Sequence, residues 1–82
     1  MRVNKKFGDK IYIEWLDAYT VDGWTNYEKA MEESRNCFCK TNALYVGETK
    51  DFITISHTQG RTKDNSLMGI LSIPKKFIKK IK

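Results

Sequence analysis

A chain of 82 residues has room for one domain, with a helix and four or five strands around a single core, and it excludes two. No stretch of apolar residues is long enough to span a bilayer, and residues 1–8 lack the apolar core of a signal peptide, so the expected location is the cytoplasm. The net charge of +5 is local: Lys75, Lys76, Lys79, Lys80 and Lys82 fall in the last eight residues with no acid among them, and the other ten bases match the ten acids. Charge gathered in this way attracts phosphate better than the same charge spread evenly.

From Lys10 to Ala18, Ile11, Ile13 and Trp15 alternate with Tyr12 and Glu14, the pattern of a half-buried strand. Asp22-Gly23 is a turn dipeptide that ends it. Thr25-Asn26-Tyr27-Glu28 matches a capping box, which predicts a helix of about ten residues from Thr25. Its expected buried stripe is Tyr27, Ala30, Met31 and Ser34, with Lys29 and Glu33 as an exposed i, i+4 pair and Asn36 as the stop. Phe38 to Glu48 reads as a second strand, joined at Lys50-Asp51 to a third from Phe52 to Thr58. A polar loop, Gln59 to Asn65, leads to a strand from Ser66 to Ile73 in which Gly69 marks a bulge or tight bend. Pro74 ends that strand because it has no amide to donate. The last element is ambiguous. A regular strand sets Ile78 and Ile81 on opposite faces, whereas a helical turn sets Phe77 and Ile81 on the same one.

This order predicts an α+β, mainly β domain over residues 1–82. It is a strongly bent antiparallel sheet, or an SH3-like or Sm-like barrel, of four or five strands with one short helix. Cys37 and Cys39 are too closely spaced for an easy intrachain bridge, and with the single His57 they fall short of the four ligands of a zinc site. They read as reduced thiols, so neither metal nor cofactor is expected. A core of this size stabilises by only a few kcal/mol, which leaves self-association as the remaining device and a homo-oligomer as the expectation.

Among the candidate functional residues, Trp15 continues the Ile11, Ile13 face and reads as core. Trp24, between a turn glycine and a helix cap, fits either a hydrophobic staple or a stacking platform for a base. Asp17 fits a turn cap or a polar group that accepts from an exocyclic amine or a ribose hydroxyl. Lys75 and Lys76 follow the fixed backbone of Pro74 and so are preferred as phosphate ligands over Lys79, Lys80 and Lys82, which read as a solvated tail. Arg61 offers a planar fork to phosphate or a base. His57 lacks the Ser-His-Asp, Cys-His or paired-carboxylate company of a catalyst, so the expectation is a binding protein and not an enzyme.

Taken together, Glu14-Trp15-Leu16-Asp17-Ala18, Gly23-Trp24, Leu71-Ser72-Ile73-Pro74-Lys75 and Ile78-x-x-Ile81 resemble a large group of small tailed-phage proteins. Their pattern is Trp-x-Asp near the start, Gly-Trp opening a helix, a middle hairpin, and a closing Ile-Pro-basic-x-x-Ile. The chain departs from it in the longer basic loop around Arg61 and Lys63. Such proteins look like viral sponges that sequester cyclic nucleotide signals of bacterial immunity, of CBASS and Thoeris type. The resemblance implies a bacteriophage anti-defence protein in the host cytoplasm. Its ligand is a cyclic oligonucleotide or a cyclic ADP-ribose-type signal, bound without cleavage. In that site Lys75, Lys76 and Arg61 neutralise phosphates, Trp24 or Tyr19 stacks a base, and Asp17 reads a polar edge. The alternative is a small basic barrel that binds single-stranded nucleic acid, with an open groove and steep salt dependence. A third class, a module binding a host protein through exposed aromatics, is neither selected nor excluded.

Overall fold

A computed structural model describes residues 2–18, 20, 22–33, 37–60 and 65–82. Five strands, β1 (Lys10–Leu16), β2 (Phe38–Glu48), β3 (Phe52–Gln59), β4 (Leu67–Pro74) and β5 (Ile78–Ile81), form one open antiparallel sheet in the order β4-β3-β2-β1-β5. A single short helix, α1 (Tyr27–Glu33), lies between β1 and β2, and a 3-10 turn, Lys75–Phe77, joins β4 to β5. The architecture is the small, mainly β α+β fold that the alternating segments predict.

Register explains why one face is dry. Ile11, Ile13 and Trp15 stand opposite Ala43, Thr41 and Cys39, while Tyr45 pairs with Ile55 and Ile53 with Ile73. Directly opposed residues of an antiparallel pair share a face, so one continuous apolar surface results. Ile13, Ile53, Ile55 and Ile73 are fully buried in it. Each such side chain contributes about 1.5–3 kcal/mol relative to exposure. Ile73 of β4 and Ile78 of β5 come from opposite edges yet belong to the same core cluster, which requires the sheet to curl over itself. Register shifts that pass over Val46 of β2, between Tyr45 and Gly47, and Lys79 of β5, opposite Glu14 and Trp15, supply part of the bend. Trp15 is core, as its alternation predicts, and its indole Nε1 donates to Thr41 Oγ1 at 3.0 Å.

Gly69 has φ +71°, and a Cβ built there would lie 2.6 Å from His57 Cβ. Both the backbone and the neighbouring strand therefore require glycine at this bend. At the β2–β3 hairpin, Thr49 Oγ1 accepts from the amides of Asp51 and Phe52, and the Asp51 carbonyl accepts the Lys75 amide at 2.8 Å. That last bond holds the 3-10 turn against the hairpin.

Three expectations are corrected. The helix cap is Asn26, one residue later than the capping box: its Oδ1 accepts the Lys29 amide at 2.9 Å, which puts Lys29 rather than Glu28 three residues past the cap. The stripe expected to be buried is exposed, with Tyr27 at 79% and Met31 at 56%, because none of the residues of α1 is buried; Ser34 and the expected stop, Asn36, lie outside the described residues. The C-terminal lysines are not a loose tail. Lys79 and Lys80 lie in β5, and Lys82 exchanges backbone hydrogen bonds with Tyr12 at 3.2 and 2.9 Å. The ambiguity over Ile78 and Ile81 is resolved by the register shift in the β1–β5 pairing, which passes over Lys79. With Trp15 opposite Ile78 and Ile13 opposite Ile81, both isoleucines turn to the core face of a strand.

Candidate functional site

Residues 2–5 run beside β5, and between them lies an open groove of about 400 Å³ lined by residues 2–5 and 78–82. Five of these nine, Arg2, Lys5, Lys79, Lys80 and Lys82, are cations; none is an acid. Val3, Ile78 and Ile81 form the apolar floor, the first two each 9% exposed. β5 presents its lysines here because the register shift at Lys79 turns both Ile78 and Ile81 to the core.

The wall formed by residues 2–5 is held by one carboxylate. Glu48 Oε1 accepts the Val3 amide at 3.0 Å and the Tyr45 hydroxyl at 3.3 Å, while Oε2 takes Lys75 Nζ at 2.7 Å. The Lys75 ammonium holds the Glu48 carboxyl below the ordinary carboxylate value, with help from the Val3 amide. Burial, together with the Glu48 charge, raises the Tyr45 phenol. A second, smaller cavity of about 200 Å³ follows on past Lys82, lined by Lys10, Ile11, Tyr12, Asn42, Ala43 and Lys82. Lys82 Nζ sits 5.8 Å from the centre of the Tyr12 ring. Tyr12 donates its hydroxyl to Glu14, and this bond to a carboxylate raises the phenol above its ordinary value.

Of the residues singled out from the sequence, Asp17 and Trp24 lie between β1 and α1 and Lys75 and Lys76 on the 3-10 turn, and none of these four lines either cavity. Asp17 lies at the end of β1, exposed, where its amide donates to the Cys37 carbonyl at 2.8 Å and its Oδ1 accepts the Ala18 amide at 2.7 Å. Trp24 is fully exposed. Lys75 is engaged with Glu48, its side chain only 12% exposed, and Lys76 is exposed on the 3-10 turn. Tyr19 and Arg61 lie outside the described residues. Pro74 therefore aims Lys75 inward at a carboxylate, whereas Lys76 and the β5 lysines, Lys79 and Lys80, are exposed. Arg2, Val3 and Lys5 carry no periodic signal and belong to no predicted element; only an isolated valine among basic residues hinted that residues 2–5 pack on the domain.

Comparison with protein-family models, curated proteins and solved structures finds no match.

Proposed function

We propose that this chain is an anti-defence sponge that binds a cyclic nucleotide signal in the groove between residues 2–5 and β5 and holds it without cleavage. The observation that carries the reading is the lining: five cations and no acid around an apolar floor, in a volume of about 400 Å³. Small-molecule sites occupy about 300–1,000 Å³ and pair apolar walls with a few fixed polar groups. In this groove Lys79, Lys80 and Arg2 neutralise phosphates, and Val3, Ile78 and Ile81 take the sugar or base edge. The phage-type motifs support the choice of a cyclic signal, and the groove moves the phosphate role from Lys75 to β5.

Calorimetry with cyclic dinucleotides, cyclic trinucleotides and cyclic ADP-ribose isomers tests this directly. One of them binds, and heat denaturation followed by chromatography returns it unchanged. Lys79→Ala and Lys80→Ala each weaken binding by about 1.5–3 kcal/mol, the range for a hydrogen bond to a charged group, with the melting temperature preserved. A cleaved product makes the protein an enzyme.

A second reading has its own support. The row of lysines continues from the groove past Lys82 and Tyr12 into the smaller cavity, a basic track with an aromatic beside it. Single-stranded nucleic acid binds such tracks through phosphate contacts and stacking. Failure of every cyclic nucleotide, with oligonucleotide binding that falls steeply with salt, selects this reading.

A further inference from the structure

We propose that the arm between β1 and β2 docks on a second copy of this chain, its α1 face seated over that copy's basic groove. The docking rests on the charge and shape of arm and groove, not on which ligand the groove takes.

Charge is segregated along the chain. Residues 17–37 hold five acids and two bases, whereas the remainder holds thirteen bases and five acids. On α1 the segregation is also spatial. Tyr27, Glu28, Met31 and Glu32 fall at i, i+1, i+4 and i+5, adjoining positions of one helix face, and Trp24 stands three residues before Tyr27. Trp24 is 105% exposed and Tyr27 79%, with Glu28 and Glu32 exposed beside them. The arm thus offers large aromatic side chains together with carboxylates. The groove offers the complement, with Arg2, Lys5, Lys79, Lys80 and Lys82 around an apolar floor.

The complement is met in a second copy because α1 buries no residue against its own sheet. Each copy carries one arm and one groove, so a twofold exchange satisfies both at once. The 16 described residues of the arm and the nine that line the groove make at most twenty-five per copy, against about 20–30 a side in a stable interface. In the exchanged pair Trp24 of one copy closes the groove of the other, which brings an aromatic face to the cations from the far side.

Sedimentation of the full chain without ligand tests the docking. At low salt a dimer is expected, and raising salt to about 0.5 M weakens it by about tenfold or more, since exposed charges are then screened beyond a few ångströms. Glu28→Lys with Glu32→Lys, and separately Lys79→Glu with Lys80→Glu, each give a monomer with an unchanged sheet melting temperature. Mixing the two variants restores a heterodimer. A wild-type monomer at high concentration and low salt overturns the proposal, and so does a dimer that both reversals leave intact. A monomer whose arm cross-links only to its own groove also overturns it. A dimer that obeys the charge swap upholds the docking, and nucleotide binding by the Glu28→Lys, Glu32→Lys monomer, whose groove is uncovered, then decides the sponge reading separately; a wild-type monomer that binds nucleotide upholds the sponge and overturns the docking.

Discussion

Glu48 concentrates more structural consequence than any other charged residue described, because three separate parts of the chain meet on its carboxylate: Val3, Tyr45 and Lys75. Its folded-state acidity lies below the unfolded value, so its contribution is complete above the unfolded carboxylate range and is lost as pH falls through the lower folded value. The melting temperature is accordingly flat near neutrality and declines below about pH 4.5. Glu48→Gln starts lower at pH 7 and shows a shallower acid decline, which thermal melts across pH will measure. Glu48→Ala, which also removes the acceptor of the Val3 amide, loosens one of the ties on residues 2–5, so affinity for the proposed ligand is expected to fall further than in Glu48→Gln. Gly69 is the other residue with a sharp consequence. Gly69→Ala places a Cβ against His57 in a backbone conformation that L side chains rarely adopt. A loss of about 1–3 kcal/mol in chemical denaturation is expected from the strained backbone alone.

At the scale of elements, sheet and arm obey different rules. Ile13→Ala or Ile53→Ala empties a fully buried site and costs about 2–5 kcal/mol. Tyr27→Ala, at a side chain 79% exposed, changes the stability of the monomer by no more than about 0.5 kcal/mol. Asn26→Ala removes the acceptor for the Lys29 amide and lowers helicity seen by circular dichroism, while the sheet melts where it did before. Hydrogen exchange separates the two in one experiment, with α1 amides exchanging through local opening and those of β1 and β3 through global unfolding. The strands were legible in the residues because alternation directly encodes a half-buried sheet, as Ile11, Ile13 and Trp15 show. The helix was legible in type but not in exposure. Tyr27 and Met31 have helical spacing whether they pack on their own sheet or on something else.

The whole molecule measures 52 × 26 × 19 Å, an elongated outline for a chain of 82 residues. Its charge is arranged unevenly: β5 and residues 2–5 together line a basic groove, while the arm is acidic. Ionic strength should therefore move anion affinity far more than stability. A titration of ligand affinity against salt is expected to fall steeply, with thermal melts over the same range nearly unchanged, since the core is apolar. The sequence alone determined the order of the first four strands and the helix, the shared face of Ile11, Ile13 and Trp15 and that of Ile53 and Ile55, and a bend at Gly69; the fifth strand and the contact with His57 that demands glycine there came from the structure. Each of the former depends on neighbours along the chain or on a period of two. The sequence also located the excess charge in the last eight residues. It did not determine which lysines present that charge, because this depends on groups distant in sequence. Glu48 reaches Lys75 across 27 positions, and the register shift of β5 against β1 turns both Ile78 and Ile81 inward. Only the tertiary structure brings residues 2–5 beside 78–82, since a groove between the two ends of a chain leaves no periodic trace in either.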